Sequence, residues 1–83
     1  MRGEPDPALV EALRAWRLGE ARRRKVPAYC VLSNRTIEEI ARARPHEERA
    51  LLAVKGIGHK VVEQYGAAIL ALVGGFGPRG RQG

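Results

Sequence analysis

Leu51-Leu52-Ala53-Val54-Lys55-Gly56-Ile57-Gly58-His59-Lys60-Val61-Val62 is the stretch that decides the fold. An apolar run meets a Gly-Ile-Gly triplet, and a basic and apolar helix start follows. Two glycines around one apolar residue allow a tight turn between helices, because each takes backbone angles that a Cβ resists. On that reading a β-branched residue at Gly58 would disturb the turn and the fold with it. Ile57 is expected to point inward and pin the turn to the core. The amides from Gly58 to Lys60 open the next helix and have no helical acceptors of their own. At the positive end of a helix dipole they suit a phosphate, with Lys55, His59 and Lys60 beside them.

The same spacing also suits a compact turn flanked by solvated lysines. The charge favours the phosphate. The 83 residues carry 15 Lys plus Arg against 9 Asp plus Glu, a net charge of +6 with a pI near 10.5. Such a surplus attracts a polyanion without sequence recognition. A helix-hairpin-helix-like turn at Gly56 and Gly58 would then grip a nucleic-acid backbone. A second cluster supports this: Arg14 to Lys25 holds six basic residues and one acid, Glu20. Its end, Arg22-Arg23-Arg24-Lys25, reads as a solvated helix terminus or as one side of a positive patch. Glu38, Glu39, Glu47 and Glu48 form a region that repels nucleic acid.

A chain of this length makes one small domain, too small for a deep catalytic cleft. It has no paired acids, no nucleophile–base set and no nucleotide-binding glycine loop, so no catalytic residue is assigned. His46 and His59 do not make a metal site, and no cofactor is expected. There is no lipidation signal and no apolar stretch long enough to span a bilayer. Cys30, the single cysteine, reads as a small buried hydrophobe and fits, weakly, an intracellular setting.

Helical periodicity runs through the chain. Residues 1–6 read as a linker or tail. Asp6-Pro7 supplies an N-cap and a proline at the first helical position. That helix runs to about Lys25, with Leu9, Leu13 and Trp16 inward and Gly19 a weak spot. Val26-Pro27 ends it. Pro27 to Leu32 forms one short helical turn, anchored by Tyr29, Val31 or Leu32. Ser33-Asn34 offers caps for a helix from Arg35 to Arg44, with Thr36-x-x-Glu39 as an alternative capping box and Ile37, Ile40 and Ala41 inward. A fourth helix spans His46 to Val54, facing the core with Ala50, Leu51 and Val54. The fifth starts near His59, and Gly66 is a point where it bends. Tyr65 reads as half-buried, or as an exposed edge that stacks a base. Residues 74–83, glycine-rich with Arg79 and Arg81, read as a disordered tail. The expectation is an all-α, compact five-helix bundle over residues 7–73.

An ordered series of segments resembles the HRDC (helicase and RNase D C-terminal) domain. Leu13-Arg14-Ala15-Trp16-Arg17 with Ala21 is similar to its first helix. Val26-Pro27-Ala28-Tyr29-Cys30-Val31-Leu32-Ser33-Asn34 is similar to its Val-Pro-x-Tyr-x-Val-Phe stretch. Thr36-Ile37-Glu38-Glu39-Ile40-Ala41, Arg44-Pro45 and the Leu51-to-Lys60 segment with Tyr65-Gly66 complete the series. Leu32, Glu48 and Lys55 depart from it, where phenylalanine, an apolar residue and proline are common.

The resemblance implies a five-helix accessory domain of a larger enzyme, with a bacterial RecQ-type or UvrD-like DNA helicase favoured. With the residue reading it points to weak, non-specific binding of single-stranded or partly unwound DNA; the candidate contacts, Lys55, Gly56, Gly58, His59, Lys60, Arg22, Arg23 and Arg24, come from the turn and the charge, since the family's binding surface varies between members. The alternatives are a docking domain that meets other parts of the helicase, and an RNA-binding domain of an RNase D-type exonuclease. A monomer in the bacterial cytoplasm, associated with the nucleoid, is expected.

Overall fold

The computed structural model describes residues 4–75, and every structural statement concerns these. Four α-helices and one 3-10 turn follow in order: α1 (Pro7–Arg24), the turn Ala28–Cys30, α2 (Asn34–Ala43), α3 (Glu48–Leu52) and α4 (His59–Gly75). The architecture is all-α, with four α-helices where five helices were expected. The second expected helix is a three-residue 3-10 turn. Its bonds are i→i+3, Cys30 to the Pro27 carbonyl and Val31 to that of Ala28, with one longer i→i+4 contact from the Leu32 amide to Ala28 at 3.4 Å. Residues 76–83, most of the expected tail, lie outside the described residues, whereas Gly74 and Gly75 continue α4.

Each helix end has a local cause. Asp6 caps α1: its Oδ1 accepts from the Ala8 amide at 3.0 Å. Its Oδ2 accepts from Arg44 at 2.8 Å, so the start of α1 is tied to the end of α2. α1 closes before Pro27, at Lys25, which is left-handed with φ 58°. There the Val26 amide donates to the Ala21 carbonyl at 3.0 Å and the Lys25 amide to Arg22 at 3.2 Å, the paired bonds of a Schellman end. Ser33 caps α2, its Oγ accepting from the Thr36 amide at 3.1 Å and donating to Thr36 Oγ1 at 2.9 Å. Arg44, left-handed at φ 50°, ends α2 ahead of a buried Pro45. α3 starts at Glu48 rather than His46, because Glu47 is still extended, at φ −153° and ψ 166°.

The core is one cluster. Leu9, Leu13, Ile37, Ile40, Leu51, Ile69 and Val73 are fully buried, with Ala21, Val31, Leu32, Ala41, Val54, Ile57 and Tyr65 around them. Trp16 is half-buried against this cluster. Gly66 lies buried inside α4, where an added Cβ would meet Val62 Cγ1 of the same helix at 3.2 Å and Leu51 of α3 only at ordinary contact distance. Two expected core residues are outside. Tyr29 is 74 % exposed and Cys30 is exposed. In a 3-10 turn residues three apart share a side. Ala28 and Val31 take the inward side, so Tyr29 and Cys30 are left facing solvent.

Candidate nucleic-acid interface

The Gly-Ile-Gly segment does connect α3 to α4, with Ile57 buried and its amide bonded to the Val54 carbonyl at 3.1 Å. The two glycines have different roles. Gly56 has φ +93°, and a Cβ there would meet Thr36 Oγ1 at 2.4 Å. It is a packing glycine, pressed onto the first turn of α2. Gly58 lacks a positive φ and has open space where a Cβ would stand. It needs no glycine for geometry, which corrects the expectation that a side chain at 58 disrupts the turn. Its carbonyl accepts from the Val62 amide at 3.1 Å, so it holds the N-cap position of α4. The amides of His59, Lys60 and Val61 precede that first helical bond and have no intrahelical acceptor.

Around this turn Lys55, Gly58, His59 and Lys60 are all exposed. The two sides differ in charge. His59 lines a groove of about 550 Å³ with Glu48, Val62, Glu63 and Ala67. A phosphate beside the imidazole therefore meets two carboxylates. Lys60 lies about 100° further round the helix, on its outer face.

The basic end of α1 is built differently from the three equal arginines that the sequence suggests. Arg23 and Arg24 both pair with Glu20 Oε2, the latter at 3.5 Å. The Arg24 guanidinium also lies 5.1 Å from the centre of the Tyr65 ring. Trp16 meets that ring edge-on at 5.5 Å and 82°. Tyr65 is thus covered on two sides and only 7 % exposed, which leaves no face for a base. Arg22 and Lys25 are exposed and enter no ion pair among the described residues. Tyr65 lies about 10 Å along α4 from Gly58, at 1.5 Å per residue. The basic end of α1 therefore packs on α4 about two turns in from its start. Tyr65 and Lys60 are about 140° apart around α4, so the two groups occupy different faces.

Tyr29 is the functional candidate that pattern reading missed. It stands on the turn that follows Arg22 to Lys25, and that turn packs against α1. Val26, 37 % exposed, lies between them. Tyr29 is thus an exposed aromatic ring on the turn that follows two exposed cations, Arg22 and Lys25, in the chain. No sequence pattern marks it, since Tyr29 stands in an apolar run and is exposed because Ala28 and Val31 take the inward side. Among the described residues no group of His, Cys, Asp or Glu could hold a metal, and no helix is long and apolar enough to cross a membrane.

A family model described as the HRDC domain matches residues 6–73. ATP-dependent DNA helicase UvrD2 of Mycobacterium tuberculosis and of Mycobacterium bovis is 43 % identical over 70 residues, which is 84 % of this chain and 10 % of those helicases. The chain thus spans about a tenth of the length of these curated relatives. A solved structure, the D. radiodurans RecQ HRDC domain 3, superposes with a TM-score of 0.79 at 34 % identity, covering 82 % of this chain and 90 % of that one.

Proposed function

The chain belongs to the HRDC domain family, and from that premise we propose that it is the accessory nucleic-acid-binding domain of a bacterial ATP-dependent DNA helicase. It does no chemistry itself and needs no cofactor. It holds single-stranded or partly unwound DNA weakly, through phosphates and stacked bases, while the rest of the enzyme unwinds. Work in DNA repair and recombination, in the cytoplasm at the nucleoid, follows from such a host.

The observation that carries this reading is Tyr29, 74 % exposed on the turn after the unpaired Arg22 and Lys25. Every base has a π-face, so a stacking ring binds without sequence preference. Each cation that meets a phosphate releases counterions, which ties affinity to salt. Lys55, Lys60 and the free amides of the first turn of α4 provide a second, smaller contact.

Fluorescence anisotropy with a short labelled oligothymidylate tests it. With about three to five phosphates neutralised, log K against log salt falls with a slope of roughly −2 to −4. A flat response, or no binding at low salt, would refute the reading and leave docking against an acidic surface of the helicase. Clearly tighter binding to RNA would move the domain to an RNA-processing enzyme.

A further inference from the structure

We propose that Arg17 is the positioning residue for Tyr29: it fixes the 3-10 turn against α1 and so sets the ring where a base can stack. The proposal rests on the nucleic-acid reading of Tyr29 given above. Arg17 is half-buried on α1, and its guanidinium donates to the Leu32 carbonyl at 2.8 Å, across fifteen positions of chain. It has no carboxylate partner among the described residues. Its Nε is buried and finds no acceptor. A buried N–H without a partner is unfavourable. The arrangement therefore accepts a local cost to place a planar, rigid donor at this junction.

The turn has few other holds. Its backbone bonds are internal: Cys30 to the Pro27 carbonyl at 2.9 Å and Val31 to that of Ala28 at 2.9 Å. Pro27 gives it no side-chain cap. Val31 and Leu32 bury their side chains, which anchors the end of the segment. Apolar contacts of this kind are non-directional and leave rotation of a three-residue turn weakly defined. The Arg17–Leu32 bond is directional and is the polar cross-link from α1 to this segment among the described residues. Tyr29 is too exposed to be placed by packing of its own ring, so its position follows the backbone that Arg17 holds.

The test is a double-mutant cycle on the intact chain, read as anisotropy of labelled oligothymidylate at a temperature where circular dichroism shows each variant folded. Tyr29→Ala weakens binding roughly five- to a hundredfold, the range for one lost base–aromatic stack. Arg17→Met weakens it about threefold or more, and adds nothing within about twofold once Tyr29 is alanine. The salt slope of Arg17→Met stays at the parent value, because a direct phosphate contact would take roughly 0.7 from it. Losses that multiply in the double variant, a slope reduced by that amount, or an Arg17→Met protein that binds like the parent would each overturn the positioning role. If Tyr29→Ala itself binds like the parent, the stacking reading and this role fall together. Should Arg17→Met not fold, Arg17→Lys enters the same cycle under the same criteria, since it keeps charge and a donor but loses the planar fork.

Discussion

Gly56→Ala is the sharpest probe of this fold. A side chain at φ +93° is strained whatever space surrounds it. Holding a non-glycine residue in such a region costs about 1–3 kcal/mol. The new Cβ would also stand 2.4 Å from Thr36 Oγ1. Thr36 cannot simply turn away, since its Oγ1 accepts from Ser33 Oγ at 2.9 Å beside the cap of α2. Forcing an extra carbon into such a contact costs a further 1–3 kcal/mol or so. The expected loss is therefore about 2–6 kcal/mol. Against a total of about 5–15 kcal/mol for a folded domain, this is a large share. Urea titration followed by far-UV circular dichroism measures it, as a lower midpoint at unchanged m-value. Thr36→Ala in the same chain removes the clash and leaves the φ strain, so the double variant should recover part of the loss beyond additivity. Gly58→Ser is the control. It has open space and the N-cap position, and is expected to stabilise by a few tenths of a kcal/mol. A Gly56→Ala protein within about 0.5 kcal/mol of the parent, the span of ordinary surface changes, would refute the assignment of distinct roles to the two glycines.

Gly19→Ala fills open space inside α1 and should gain about 1 kcal/mol of helix propensity, seen as a rise in Tm of roughly 4–8 °C. Lys25→Gly relieves a left-handed lysine at φ 58° and should raise Tm while taking about 0.7 from the salt slope of DNA binding; a slope left unchanged would remove Lys25 from the interface. Asp6→Ala loses both the α1 cap and the partner of Arg44 and should cost about 1–2 kcal/mol in denaturant titration, whereas Asp6→Asn keeps the cap and should cost clearly less. Lys55→Ala with Lys60→Ala should leave stability within about 0.5 kcal/mol and reduce the slope by roughly 1.4 if both touch phosphates. An unchanged slope in that pair would leave Arg22, Lys25 and Tyr29 as the whole interface.

From sequence alone come the all-α class, the cap at Asp6 and the inward stripe of Ile37, Ile40 and Ala41; the α2 cap is narrowed to Ser33, Asn34 or Thr36, and the structure selects Ser33. The sequence also determined the family, because the order of those segments is carried by the chain itself. These signals are local: a cap or a helical stripe depends on residues within a turn or two of one another. The pairing of Glu20 with Arg23 and Arg24, at i, i+3 and i, i+4, is local too, but the sequence reading takes the arginines as equal and the structure separates them. The tertiary structure decided the rest. Gly56 and Gly58 are alike in sequence, and the φ of +93° at Gly56 together with the approach of Thr36 from α2 makes one indispensable and the other free. Tyr29 stands in an apolar run that reads as core. The short turn, held on α1 through Arg17 and Leu32, gives the inward side to Ala28 and Val31 and leaves the ring in solvent. Tyr65, a candidate platform by pattern, is covered by Trp16 and Arg24 from another helix. Which side chain of a short segment faces the core is fixed by the surface it packs against, and that surface exists only once distant helices have met.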